Sequence, residues 1–208
     1  MTPTAANHKI DAMQEIARRH ILDSIEVKQA VAEKCTAEIS RAATILIECL
    51  SNGGKILLCG NGGSAADCQH ISAEFTSVLS QDFVRPGLAS IALTTDTSFI
   101  TANANDFGFE GIFERQVQAL GREGDVVVGI STSGNSKNVL CALKYAREHN
   151  IKTVVLTGAS GGQMADIADV AIKVPSGDTQ HIQESHITIG HILCALVELG
   201  LFNHSPNK

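Results

Sequence analysis

Two stretches decide the architecture. Lys55-Ile-Leu-Leu-Cys-Gly60 runs into Asn61-Gly-Gly-Ser64, and Asp125-Val-Val-Val-Gly-Ile130 runs into Ser131-Thr-Ser-Gly-Asn-Ser136. Each is a short apolar run closed by a Gly/Ser loop that opens a helical pattern. Continuous apolar runs, rather than alternating ones, are how strands covered on both faces read. Ser90–Thr95, Lys152–Thr157 and Val170–Val174 follow the same rule. Between them, apolar residues recur at helical spacing over 64–79, 110–120, 136–149 and about 182–201, the last with Ile189, Ile192, Leu193 and Leu196 inward. Strands alternating with helices make βαβ units with right-handed crossovers. The expected class is therefore α/β, with a five-stranded parallel sheet flanked by helices.

Working outward from that core, Thr4 to Asn52 contains neither Gly nor Pro, and Ile10, Met13, Ala17 and Ile21 fall at helical spacing. One long helix or two is expected, ended by Gly53-Gly54. Its first part finds no apolar partner in the chain, which points to a neighbouring subunit. Ser205–Lys208 reads as a frayed tail. A chain of 208 residues fits one domain. With 44% hydrophobic and 18% charged residues it is globular rather than disordered. Sixteen Lys and Arg against 22 Asp and Glu leave a formal charge of −6, and there is no Trp, which argues against nucleic acid as a partner. The six cysteines show no CxxC spacing, and Cys59 and Cys194 sit in apolar runs. They read as buried free thiols of a reducing, cytoplasmic compartment. The apolar run Ala42–Leu50 contains Glu48 and is too short to span a bilayer, so no membrane association is expected.

In an open α/β sheet the ligand lies beyond the carboxyl ends of the strands. The two Gly/Ser loops fall there, and each opens a helix whose free N–H groups favour an anion. The loop 131–136 carries four hydroxyls and no Lys, so it is no Walker A loop, and the turn at 60–64 lacks the GxGxxG spacing of a dinucleotide site. A sugar phosphate fits better than a nucleotide. The competing account is that Ser, Asn and Gly only make turns and helix caps. The third loop, Thr157–Gly162, reads as a turn.

His70 and Glu74 share a helix face at i, i+4, and the last helix carries Gln183, His186 and His191. Imidazole, carboxylate and amide oxygen gathered at one point would suit a divalent metal, zinc foremost. A plain surface hydrogen bond between His70 and Glu74 is the competing account. His149, His181 and His186 read as structural. Asn105 and Asp106 fall in a Gly/Phe-rich loop over 103–109, where they either bind sugar hydroxyls or cap the helix near Gly111.

As a set, CGNGGS at 59–64, HxxxE at 70–74, NDFGF at 105–109, GREGDV at 121–126, STSGNS at 131–136 and IQExH from 182, with a His eight residues after its Gln, resemble the sugar isomerase (SIS) family. The branch most similar acts on seven-carbon sugar phosphates. The resemblance covers nearly the whole chain. It implies a single SIS domain with a flavodoxin-like sheet, residues 1–52 forming helices on neighbouring subunits and 53–208 the α/β core. It implies a homotetramer with sites shared between subunits. It also implies a ketose–aldose isomerase that converts sedoheptulose 7-phosphate to D-glycero-D-manno-heptose 7-phosphate through an enediol. Carried over by motif, the metal ligands fall on His70, Glu74, Gln183 and His191. The catalytic pair falls on Glu74 and His191. Substrate contacts fall on Asn61, Gly62, Gly63, Ser64, Glu74, Asn105, Asp106, Ser131, Thr132, Ser133, Ser136 and Gln183. Gln180 and His181 depart from the Asp and Arg found there in the family. Some relatives act instead as a scaffold for the replication initiator; these lack the Glu and the final His, both kept here.

Gln183 and His191, eight residues apart, are separated by about 12 Å in one straight helix. Either Gln183 precedes the regular helix, or the two reach one ion from different chains. The uncovered N-terminal helix favours the second, with Glu74 and His191 expected to meet across an interface.

Overall fold

The computed structural model describes residues 3–204, with side chains from Ile10 onward; the tail expected to fray, 205–208, lies outside the described residues. In chain order the elements are α1 (Pro3–Lys34), α2 (Thr36–Ser51), β1 (Ile56–Gly60), α3 (Gly63–Thr76), β2 (Ser90–Ala92), α4 (Thr97–Phe107), α5 (Ile112–Leu120), β3 (Val126–Ile130), α6 (Lys137–Glu148), β4 (Lys152–Thr157), α7 (Gly162–Ile167), β5 (Val170–Lys173) and α8 (Thr179–Phe202). The strands pair in parallel in the order β2-β1-β3-β4-β5, the doubly wound flavodoxin-like arrangement.

Strand periodicity explains why the apolar runs are unbroken. Ile56 and Leu58 of β1 and Val126, Val128 and Ile130 of β3 face one core, shared with α2, α3 and α8. Leu57 and Cys59 of β1 and Val127 of β3 face the other, shared with α5 and α6. Both faces are covered, so neither parity can be polar.

The N-terminal segment breaks at Cys35, which the sequence did not locate. Beyond the break, α2 buries Ile39, Ala42, Ala43, Leu46 and Cys49 in this chain's own core. The expectation of helices over 1–52 lying on neighbouring subunits therefore narrows to α1, where Ile10, Met13, Ile16, Ile21, Leu22 and Ile25 are exposed. The last helix starts at Thr179, three residues earlier than expected, because Asp178 caps it by accepting from the N–H groups of Gln180 and His181. By length and composition α8 would suffice to cross a membrane. It is a core helix, with Ile182, Ile189, Leu193 and Val197 buried against the sheet layer. Ile192, expected inward, is 37% exposed and borders an apolar groove between α8 and the α1–α2 junction.

The cysteines of the described residues are all free, and five are buried. Burial pushes the Cys59 thiol up to about 12 and the Cys49 thiol up to about 11, so both are unreactive at neutral pH.

Candidate functional site

β1 and β3 lie side by side at the centre of the sheet, with Gly60 opposite Ile130 at their carboxyl ends. The strand order reverses at this pair, and their loops flank the resulting crevice. Ser131 Oγ lies 2.9 Å from Ser136 Oγ and 3.4 Å from Ser133 Oγ. Gly134 permits this fold of the loop: its φ is +65°, and an added Cβ would lie 2.0 Å from the Gly161 carbonyl oxygen. Thr132 and Ser133 line a cavity of about 410 Å³ together with Gly158, Ala159, Ser160 and Ser176. The loop expected to be a plain turn thus lines a cavity beside the serine loop.

Ser136 is the N-cap residue of α6 and Gly62 that of α3, yet neither makes a side-chain capping bond. The cap account therefore does not explain the Ser136 hydroxyl, which faces Ser131 instead. Ser133 does serve the turn, accepting from the Asn135 N–H at 3.2 Å. Ser64 is buried, and Gly62 and Gly63 are exposed at the start of α3. The amides of Asn61 and Asn138 pair reciprocally at 2.9 and 2.8 Å, joining the first loop to the opening turn of α6.

The ionisable groups gather elsewhere on α3. His70 Nε2 lies 2.8 Å from His191 Nε2 and 3.4 Å from Glu74 Oε1, and ligand atoms of all three fall within 4.8 Å of one another. Close approach of α3 and α8 makes this possible: an added Cβ at Gly190 would sit 2.6 Å from Ile71 Cδ1. One chain supplies the whole cluster, so the expected meeting of Glu74 and His191 across an interface is corrected. The His70–Glu74 contact is more than a surface pair, because His191 closes on it from another helix.

Gln183 does not join this cluster. It lies inside regular α8, and its amide abuts Gly63, where an added Cβ would be 2.6 Å from Nε2. The eight-residue rise separates it from His191, as the axial distance requires. Two imidazole nitrogens facing each other across 2.8 Å, with a carboxylate oxygen beside them, need either a shared proton or a cation between them. This N₂O donor set suits a zinc-class ion.

Asn105 and Asp106 are not in a loop. They occupy the last turn of α4, a helix absent from the sequence expectation, and both are exposed, with Asn105 Nδ2 donating to Asp106 Oδ1 at 2.9 Å. Neither caps the next helix: no side chain caps α5 or the 3₁₀ turn before it.

His149 is exposed at the end of α6, where its Nδ1 lies 2.8 Å from the Tyr145 carbonyl oxygen. His186 is fully buried, meets the Thr157 carbonyl oxygen at 3.2 Å through Nε2, and burial holds its imidazole down to about 4, so it is neutral at pH 7. His181 is not bland: Nδ1 lies 3.3 Å from Glu184 Oε2, and its ring lies 4.5 Å from that of His20. Hydrogen bonds to the Glu184 carboxylate, foremost from Ser24 and then from His20 and His181, hold it down to about 2 despite the opposing cost of burial. The sequence offered only faint signs of this group, His20 and Ser24 at i, i+4 and His181 and Glu184 at i, i+3.

Comparison with known proteins agrees with this geometry. The SIS-domain family model matches residues 20–158. A phosphoheptose isomerase of Aneurinibacillus thermoaerophilus is 55% identical over 92% of this chain and 97% of its own length. One from Campylobacter jejuni is 52% identical over 93% and 96%. Among solved structures, the phosphoheptose isomerase of Neisseria gonorrhoeae aligns with a TM-score of 0.84 at 46% identity, covering 89% of this chain and 98% of that one. With that identity sustained over nearly the full length of both partners, the chain belongs to the SIS-domain family, in its phosphoheptose isomerase branch.

Proposed function

We propose that sedoheptulose 7-phosphate is isomerised in a site built between subunits of a homotetramer, with the serine loop of one chain holding the phosphate and Glu74 and His191 of another moving the protons. The reaction itself is that of the branch: a ketose–aldose isomerisation yielding D-glycero-D-manno-heptose 7-phosphate, a step of heptose biosynthesis. The observation that carries the shared site is a length. Glu74 follows Gly63 by eleven residues on α3, about 16 Å along the axis. From the phosphorus to C1–C2, an extended seven-carbon chain with bonds of about 1.5 Å spans roughly 10 Å. The axial rise exceeds the length of the substrate, which supports drawing the phosphate loop and the reacting end from different chains. The exposed apolar positions of α1 supply a surface for subunit contact.

At the reacting end, the Glu74 carboxylate takes the C1 proton, leaving a 1,2-enediolate. His191 moves the hydroxyl proton from O1 to O2, and return of a proton to C2 completes the aldose. His70, Glu74 and His191 would hold the zinc-class ion; Gln183 reaches an ion only from another chain. When bound, such an ion supplies Lewis-acid polarisation of a substrate oxygen. Glu74 serves as base with a loose contact to the ion, because tight ligation would lower its basicity. At the other end, the Ser131, Thr132, Ser133 and Ser136 hydroxyls and the N–H groups opening α6 receive the phosphate. Asn61 to Ser64 and Gln183 border the sugar, and Asn105 and Asp106 approach its hydroxyls from their exposed turn. The buried free thiols support a cytoplasmic setting. The scaffold alternative draws no support from these relatives.

NMR of the pure protein with sedoheptulose 7-phosphate in deuterated water tests the activity: the aldose appears with solvent deuterium at C2, and an unchanged ketose overturns the assignment. For the loop, Ser136→Ala is expected to weaken substrate binding by ~1–3 kcal/mol, the cost of a lost charge-assisted hydrogen bond. An unchanged KM removes Ser136 from the phosphate site.

Co-expression tests the shared site. Chains carrying Glu74→Gln and chains carrying Ser136→Asp, whose carboxylate repels phosphate, regain activity when mixed, because some sites draw both intact parts. A mixture of Glu74→Gln and His191→Gln chains stays inactive, since one chain supplies both groups to a site. Recovery in the second mixture and not the first overturns the arrangement.

A further inference from the structure

α1 is barely held over residues 10–26. Ser24 is the one buried position there, and His20 and Asp23 are half-buried. The fastening falls on a single cluster facing α8. His20 Nε2 lies 2.9 Å from Glu184 Oε1, and His181 Nδ1 lies 3.3 Å from Glu184 Oε2. The donor atoms of all three residues lie within 4.8 Å of one another. The rings of His20 and His181 sit 4.5 Å apart, tilted by 44°, so both present a nitrogen to the same carboxylate.

We propose that His20, His181 and Glu184 form a second divalent-metal site, separate from the His70–Glu74–His191 cluster, that takes a zinc-class cation and staples α1 to α8. A tetrahedral ion with bonds of ~2.1 Å needs ligand atoms about 3.4 Å apart. His20 Nε2 lies 2.9 Å from Oε1 and His181 Nδ1 3.3 Å from Oε2, so an ion held by one carboxylate oxygen requires a turn of the Glu184 carboxylate and small shifts of the two rings. His181 and Glu184 share a face of α8 at i, i+3, and His20 arrives from a helix 160 residues away, so the chelate closes only in the folded chain. Ser24 donates to Glu184 Oε2 and orients the carboxylate, the supporting contact that metal-binding carboxylates commonly have. His20 is 42% exposed and Glu184 35%, which leaves an entry path and a free position for water. Lys28 Nζ is the competing cation, 3.6 Å from Oε2. It donates to Ser24 Oγ at 2.6 Å and stands at Oε2, the oxygen that His181 also meets, so an ion that enters displaces it from the carboxylate.

The test is metal stoichiometry on the full-length protein, stripped with a chelator and titrated with Zn²⁺, and with Co²⁺ read by its visible absorption. Two ions per chain are expected for the wild type. His20→Ala and, as a second variant, Glu184→Gln should each lose one equivalent, while His70→Ala loses the other. Circular dichroism establishes that each variant is folded. Zn²⁺ should also slow tryptic cleavage at Arg18–Arg19 in the wild type and in His70→Ala, but not in His20→Ala. A wild type that binds one ion, lost in His70→Ala and kept in His20→Ala, overturns the second site. So does retention of both ions in folded His20→Ala and Glu184→Gln.

Discussion

Glu74→Gln lowers kcat for sedoheptulose 7-phosphate by about 10²–10⁴-fold, the range general acid–base catalysis contributes. The substitution keeps the size and shape of the side chain and removes its charge and its ability to accept a proton. The His70 and His191 rings that border it keep their own edge-to-face contact, with centroids 5.0 Å apart. KM should change far less than kcat, because proton transfer is felt in the transition state rather than in the bound ketose. Steady-state kinetics with matched deuterium incorporation at C2 checks both halves. A loss of less than tenfold in kcat assigns the base elsewhere, with His191 first in line.

The sheet was legible because its strands carry their evidence in themselves: five apolar runs, the central β1 and β3 buried throughout, each followed by a turn. Helix α4 was not. Thr97–Phe107 is rich in Thr and Asn, which are poor helix formers. It is started by Asp96, whose carboxylate accepts from the Phe99 N–H, and is stopped at Gly108 with φ +90°. The break at Cys35 carries no Gly or Pro; its marker is tertiary, a hydrogen bond from Cys35 Sγ to the Lys173 carbonyl oxygen. At the site, the His70–Glu74 pair could be read from spacing. Its union with His191 in the same chain depends on the register of α3 against α8, set by Gly190 on Ile71, which no local pattern encodes. The same holds for His20, whose partners lie on the far side of the chain. Helical rise alone, however, correctly separated Gln183 from His191.

Arg85→Ala is expected to destabilise the fold by about 3–5 kcal/mol, the cost of leaving one member of a buried ion pair without its partner. Arg85 and Glu198 are each 1% exposed, with Nε donating to Glu198 Oε1 at 2.7 Å. The rest of the guanidinium is directed at backbone: Nη2 donates to the Glu74 carbonyl oxygen at 2.8 Å, and Nη1 to those of Phe75, Ser77 and Pro86. The last carbonyls of a helix have no partner within it. Arg85 supplies that partner to the end of α3 from the irregular segment that follows, and in doing so fixes the backbone of the proposed base. Urea unfolding of Arg85→Ala measures the stability loss. The double variant Arg85→Met, Glu198→Leu separates the two roles. Replacing both charges by apolar groups restores much of the stability, but it leaves the Glu74 carbonyl unheld, whereas that of Phe75 still accepts from the Leu88 N–H. Its kcat should therefore stay below wild type while its urea midpoint recovers. Recovery of both together would reduce Arg85 to a structural ion pair with no part in positioning Glu74.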